Sequence, residues 1–555
     1  MGANEERRFH RIAWLVVIIL MAASLPLSKF TMSIFQFLIL VMWFFFGIDF
    51  KKICDDFKQY SIAKASICFF KYTVSLFVNN FINGFRLFFK NKVAILVFSI
   101  YIMHVLGLLW TSDFAYALKD LRIKLPLLMF PVILVMMPKF SKKQVYLILG
   151  VYVLANLSGA IATVIHFFIG DYSDARQLSV FISPVRFSLN LCFSIFIVSY
   201  FIIRKTFLSN KTRVLLLGVI LFLAFTLFLL ESGIGFLILA LGVFLGLISF
   251  VKHSTSIKLK LAFSVLCIAF PLSLGWFLFY EYHQYSGGEN IQISSLPVKT
   301  VYGNTYKHDT TMFLVENGGY PGTYFCEKEL RDNWNQRSKL PYDSLDRTGG
   351  LLKFTLIRYL NSKDLHRDAQ GVSNLKESDL KNIEKGIANH VYVDNPGIKA
   401  RLYKFFFGLK RYQKTKDPNN SSLFQRLEYW RTASQIIKSN FWIGVGTGDV
   451  PTAFDNQYIK MKTQLKEKFR FRAHNQFLTI FLTFGVFGFL YFLFVLFYSI
   501  GKSKLFSDFF MITFLLVALV SMLTEDTIES QAGVTFFAFF FTFLLFSRKN
   551  KTELQ

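Results

Sequence analysis

The side chains of this sequence that could do chemistry gather in one stretch. From Gln425 to Gly488 it reads QRLEYWRTASQIIKSNFWIGVGTGDV, a basic run, and then RFRAHNQFLTIFLTFGVFGFL. Arg426, Arg431, Arg470, Arg472 and His474 lead directly into an apolar run. An imidazole titrates near neutrality and can serve as a general base, although a lone histidine at a helix start is ordinarily a hydrogen-bonded structural group. Arg470 and Arg472 beside it are expected to depress its pKa and favour the proton-accepting form. Asn475 follows as a supporting polar residue. The guanidinium forks of Arg426 and Arg431 match a phosphate, although a solvated or phospholipid-binding amphipathic helix would carry the same residues. Cations and one base where a polar segment enters a bilayer suit a lipid-linked anionic substrate.

Other charges fall inside apolar runs. Arg186 lies in FISPVRFSLNLCFSIFIV, where an arginine costs about 3 kcal/mol on insertion scales and needs a partner or a purpose. Snorkelling, or pairing with Asp171 or Asp174, would explain it without function. Arg122 and Lys124 are weaker signals of the same kind. Glu525, Asp526 and Glu529 could orient the cations, or form a solvated loop. Gly444-Val445-Gly446-Thr447-Gly448 has no strand–helix–strand unit around it, which excludes a dinucleotide loop. It is either a plain glycine turn or a backbone cradle for an anion. No CxxC motif or His/Cys cluster suggests a metal, and of the five cysteines only Cys326 falls in the large polar segment.

The elements that must position these residues are membrane helices. The chain has 555 residues, 53% hydrophobic, with 68 Phe and a formal charge of +27. That charge does not indicate nucleic acid, because most Lys and Arg sit in short loops between apolar runs. Run length predicts about twelve spans, at 12–28, 30–49, 93–110, 121–138, 145–170, 180–203, 213–231, 233–251, 259–280, 475–500, 505–523 and 531–547. The first is expected to remain as a span rather than be cleaved as a signal peptide. Basic connections such as PKFSKK, VKHSTSIKLK and GKSK alternate with acidic or mixed ones such as TSDFAYALKD and TEDTIESQ. That alternation sets both termini in the cytoplasm. Residues 51–92 are aromatic but broken by Lys71, Asn79, Asn80, Asn83 and Arg86, and are expected to form one or two interfacial amphipathic helices.

The expected architecture is therefore an all-α polytopic membrane protein. An N-terminal membrane region fills 1–281, a large and mostly helical outer loop domain 282–473, and a C-terminal membrane region 474–555. In the loop, NPGIKARLYKFFFGLKRYQ and QRLEYWRTASQIIKSN read as helices, and KESDLKNIEKGIANH as a short helix capped by Ser378. A hairpin is expected to turn at Asn317-Gly318-Gly319.

Taken together, Arg426, Trp430, Gly444/Gly446/Gly448, His474-Asn475 and Gly485/Gly488 resemble the C-terminal signature of the O-antigen ligase and polymerase superfamily. VRFSLNLCFSI at Arg186 and SMLTEDTIESQAGVTFFAFF resemble further parts of it, and the large loop looks like that of Bacteroidetes-type ligase-like proteins. The resemblance implies transfer of an undecaprenyl-pyrophosphate-linked glycan, on the periplasmic face of the bacterial inner membrane, to a hydroxyl of lipid A–core. It implies metal-independent, inverting chemistry without ATP or cofactor. It makes His474 the base and Arg186 and Arg426 pyrophosphate ligands; by their own chemistry Arg431, Arg122 and Lys124 are further candidate pyrophosphate ligands, and Asn475, Arg472 and Glu525 candidate supports of the base. One departure is visible. Where the family often carries an arginine after a serine, this chain has Ser232-Gly233, so another basic residue must supply that cation or the grip on the donor differs. The alternatives are an O-antigen polymerase, a protein O-oligosaccharyltransferase and, from a different class, a flippase for lipid-linked sugars. A flippase should show two-fold hydropathy repeats and mid-membrane polar residues, and neither is evident.

Overall fold

The computed structural model describes residues 3–170, 177–203, 209–287, 291–395, 397–419 and 421–548. Asp171 and Asp174 lie outside the described residues. Among those described there are helices, turns and isolated bridges but no strand. In chain order the helices are α1 Ala3–Ser24, α2 Lys29–Phe44, α3 Phe50–Gln59, α4 Ile62–Lys90, α5 Lys92–Leu106, α6 Phe114–Ile123, α7 Leu125–Met136, α8 Lys142–Ile169, α9 Pro184–Ile203, α10 Asn210–Leu229, α11 Gly233–His253 and α12 Ile257–Ser286. There follow α13 Glu327–Arg337, α14 Leu352–Ser362, α15 Ala369–Ser373, α16 Glu377–Glu384, α17 Val391–Asp394, α18 Ile398–Thr415, α19 Ser422–Ser439, α20 Val450–Lys460, α21 Gln476–Lys502, α22 Phe509–Thr524 and α23 Gln531–Phe546. Eight of these are long and apolar enough to cross a membrane: α4, α5 with its 3-10 extension to Trp110, α8, α9, α10, α11, α12 and α21. The apolar parts of α1, α2, α22 and α23 are shorter. At 1.5 Å per residue, a 16-residue helix reaches about 24 Å against a hydrocarbon core of about 30 Å.

One departure from the run-length reading has a local cause. The span expected at 121–138 is broken at Lys124 into α6 and α7. Pro126 sits in the first turn of α7, where its missing N–H costs nothing, and the buried Lys124 ammonium is held by two carboxylates at the break. Residues 62–90 form one continuous helix, the least apolar of the eight. From Tyr72 to Phe88, α4 meets Asp49, Phe44, Trp43, Met136 and Phe98. Those contacts lie mostly at the ends of α2 and α7. Asn80 donates to the Phe44 and Phe46 carbonyls left open where α2 stops, so a residue that interrupts the apolar pattern serves as a cap.

The chain divides into two compact units, 1–242 with 426–463 and 467–555, and 243–425 with 464–466. The centre of the first is built on aromatic packing. Every residue of α23 from Ala532 to Phe546 is buried, and Phe193 of α9 packs edge-on against Phe540 with centroids 4.9 Å apart. α21 is sharply broken. Gly485 takes φ 66°, and an added Cβ there would lie 2.1 Å from the Trp442 carbonyl oxygen. The glycine turn fills the break: the Val445 and Gly446 N–H groups donate to the Leu482 and Thr483 carbonyls, and Val486 N–H donates to Phe441. Gly448 N–H donates to Thr111 Oγ1. These amides are committed to backbone and side-chain acceptors, so the turn is not an anion cradle. It caps the carbonyls that a broken helix would leave bare in an apolar setting.

In the second unit, Leu330, Trp334, Leu356 and Ile383 bury a small core. The turn at Asn317-Gly318 has positive φ at both positions and pairs Glu316 with Gly319 in both directions, but no ladder extends from it. α16 begins at Glu377 rather than at a Ser378 cap, because the Asp379 carboxylate reaches back to the Lys376 N–H.

Replacing Gly485 by Ala is expected to destabilise the protein by about 2 kcal/mol, from left-handed backbone strain and the carbonyl clash. Gly150→Ala, which meets open space, should change little. Thermal unfolding of both variants in detergent checks this.

Candidate functional site

The site is set by how the connection after α22 docks onto the start of α21. Asn475 is the N-cap of α21; its side chain accepts from the Leu478 N–H at 3.1 Å. The preceding residue, His474, is held at φ 45°, a strained conformation for a non-glycine residue. Asp526 holds it there. Its carboxylate accepts the His474 and Asn475 N–H groups at 3.2 and 3.1 Å and the Thr479 hydroxyl at 2.7 Å. The approach to His474 is fixed too: Trp430 Nε1 donates to the Ala473 carbonyl and Tyr458 OH to that of Phe471.

The His474 ring turns Nδ1 towards Glu525 Oε2, 3.6 Å away. Nε2 has no hydrogen-bond partner among the described residues. Glu525 is fixed in turn by Arg426 Nη2 at 2.6 Å. Arg472 reaches Glu529 and Tyr116 OH. A carboxylate therefore meets the imidazole directly, within a cavity wall that Arg470 and Arg472 share.

Arg186 stands in the first turn of α9. Its Nη2 donates to the Asp526 carbonyl at 3.1 Å, while Nη1 is buried with no hydrogen-bond partner among the described residues. Arg186, His474, Arg470, Arg472, Lys29 and Glu525 line one cavity of about 740 Å³. Beside it, Lys124 Nζ is clamped by Asp120 at 2.6 Å and Glu529 at 2.7 Å, with Gln476 Nε2 on the second Glu529 oxygen. Among the described residues, no group of three or more His, Cys, Asp or Glu side chains is placed to hold a metal.

The other nominated cations stand elsewhere. Arg426 acts on the cavity through Glu525. Arg431 is exposed and meets Glu428 at 3.7 Å; five residues on from Arg426 is about 140° around the helix, so the two cannot share a face. Arg122 is exposed, two residues from the buried Lys124 and on the opposite side of the chain. Lys124 supports Glu529 from outside the cavity. Lys29, just after the N-cap of α2, was not anticipated. Its signal in the sequence is a basic residue in a connection that charge alternation assigns to the outside. At Ser232, where a neighbouring cation was expected, the hydroxyl instead accepts the Gly235 N–H.

Electrostatics follow from these contacts. Burial would raise the Glu525 carboxyl, but His474, Arg426 and Arg186 outweigh it and hold it below its usual range. Burial would likewise raise Glu529, and Lys124, Arg472 and His104 carry it well below. Burial would lower Arg472, yet Glu529 and Asp526 keep it firmly charged. Both glutamates thus have depressed folded-state pKa values. Their stabilisation is complete above the unfolded carboxylate range and is lost as pH falls through the folded values. Stability in detergent should decline below about pH 4.5. Glu529→Gln should cost on the order of 3 kcal/mol at neutral pH, by stranding buried cations, and flatten that decline. Unfolding followed across pH checks both.

Residues 386–493 match the family model described as O-antigen ligase. The matched segment contains Arg426, Trp430, the glycine turn, His474, Asn475 and the break in α21. No curated protein matches the chain. The match at residues 386–493 includes Arg470, Arg472 and His474 of the cavity wall and supports the O-antigen ligase superfamily.

Proposed function

We propose that the chain transfers a glycan from an undecaprenyl-pyrophosphate carrier to an acceptor hydroxyl. The acceptor is lipid A–core, and the face is the periplasmic side of a bacterial inner membrane with both termini cytoplasmic. The observation that carries this reading is that His474 and Arg186 line one cavity, the first with an open Nε2 and the second with an unpartnered, buried Nη1. A base and an anion-seeking donor facing one space are what displacement of a pyrophosphate requires.

Nε2 of His474 takes the proton of the acceptor hydroxyl. The acceptor oxygen bonds to the anomeric carbon as the bond from that carbon to the pyrophosphate oxygen breaks. The electron pair leaves with the carrier pyrophosphate, where Arg186 and Arg470 balance the developing charge. Glu525, on the Nδ1 side, stabilises the imidazolium until its proton passes to water. A single displacement inverts the anomeric carbon, and the donor arrives activated, so no ATP enters.

Purified protein in detergent, given lipid-pyrophosphate glycan and lipid A–core with EDTA and without ATP, should form the glycosylated acceptor. His474→Ala should lower the rate about 10²–10⁴-fold, and Arg186→Ala about 10²-fold. Longer lipid-linked chains in place of the lipid A–core product would make the chain a polymerase. Undiminished transfer by His474→Ala would remove the base from the mechanism.

A further inference from the structure

A second cavity, of about 900 Å³, adjoins the first. It runs between the end of α1, the turn into α2, and residues 179–184, which lead into the start of α9. Leu20, Ala23, Leu27, Phe35, Val180 and Ile182 give it apolar walls. Leu20 and Val180 are 39% and 52% exposed, so the trough opens at the side of the helices. Two residues, Lys29 and Ser183, line both cavities.

The sequence of surfaces along this path is specific. An apolar trough ends at Lys29, an exposed cation with no ion pair among the described residues. Three residues beyond Ser183 comes Arg186 with its unpartnered Nη1. The path then reaches His474. A ligand complementary to this order has a hydrocarbon chain bonded directly to a polyanion, with its reacting group beyond the anion. A polyprenyl pyrophosphate has that order. In a glycolipid acceptor the acyl chains are bonded to sugar and further sugars separate them from the reacting hydroxyl, so no single hydrocarbon chain runs directly into an anion next to the reacting group.

We propose that the trough holds the pyrophosphate-proximal part of a polyprenyl chain, and that Lys29 contacts the pyrophosphate at the seam between the two cavities. This rests on the reading of the donor given above, and extends it to residues that lie outside the matched segment.

Equilibrium binding to the purified full-length protein in detergent tests it with three probes: undecaprenyl pyrophosphate, inorganic pyrophosphate and lipid A. Lys29→Gln should weaken undecaprenyl pyrophosphate and inorganic pyrophosphate about tenfold, the loss of one charge-assisted contact. Ala23→Trp, which fills the trough, should weaken undecaprenyl pyrophosphate about tenfold and leave inorganic pyrophosphate unchanged. Val180→Trp, on the exposed opposite wall, serves the same purpose if Ala23→Trp does not fold. Unchanged undecaprenyl pyrophosphate affinity in a trough-filling variant overturns the proposal, as does weakening of lipid A alone. Expected binding without glycan transfer would instead fault the proposed reaction and leave the trough assignment standing.

Discussion

The site depends on one carboxylate. Asp526 accepts two consecutive backbone N–H groups, from His474 and Asn475, and its own carbonyl takes Arg186. One residue thus sets the backbone of the histidine and the position of the guanidinium. The strained φ of His474 is tolerated because both flanking peptides are tied down by this carboxylate. Because Asp526 is in the connection between α22 and α23, the packing of those helices decides where it stands. The aromatic core of α9, α22 and α23, with Phe193, Phe514, Phe536 and Phe540 in contact, therefore fixes the distance between the two sides of the cavity.

Much of this was legible in the sequence. Apolar run length located eleven of the twelve expected apolar helices, because a bilayer demands long uncharged segments and little else produces them. The exception, 121–138, failed for a reason run length cannot register: Lys124 became tolerable inside an apolar stretch only by meeting Asp120 and Glu529, the latter some four hundred residues away. His474, Asn475 and Arg186 were legible because a polar group beside or within a span needs a purpose. Arg431 was nominated for its guanidinium fork and Arg122 as a charge at the start of an apolar run; both side chains are exposed and neither lines the cavity. The role of the glycine turn was hidden because it depends on a carbonyl-exposing break in another helix, at Gly485.

Counting where charges are committed separates structural cations from those available to a substrate. Lys124 and Arg472 both meet Glu529, and Arg426 meets Glu525; each cation of this group has a carboxylate within 3.3 Å. With Asp120 counted these groups are net neutral; they are buried at Lys124 and Glu529 and half-buried at Arg472, Arg426 and Glu525, and they hold geometry more than they attract anions. Arg186 has one donor on a carbonyl and another with no acceptor, and Lys29 has no ion pair among the described residues. A dianionic head brought to this cavity would gain least from the paired cations and most from these two. Lys29, at the start of α2, stands where the apolar trough meets the cavity.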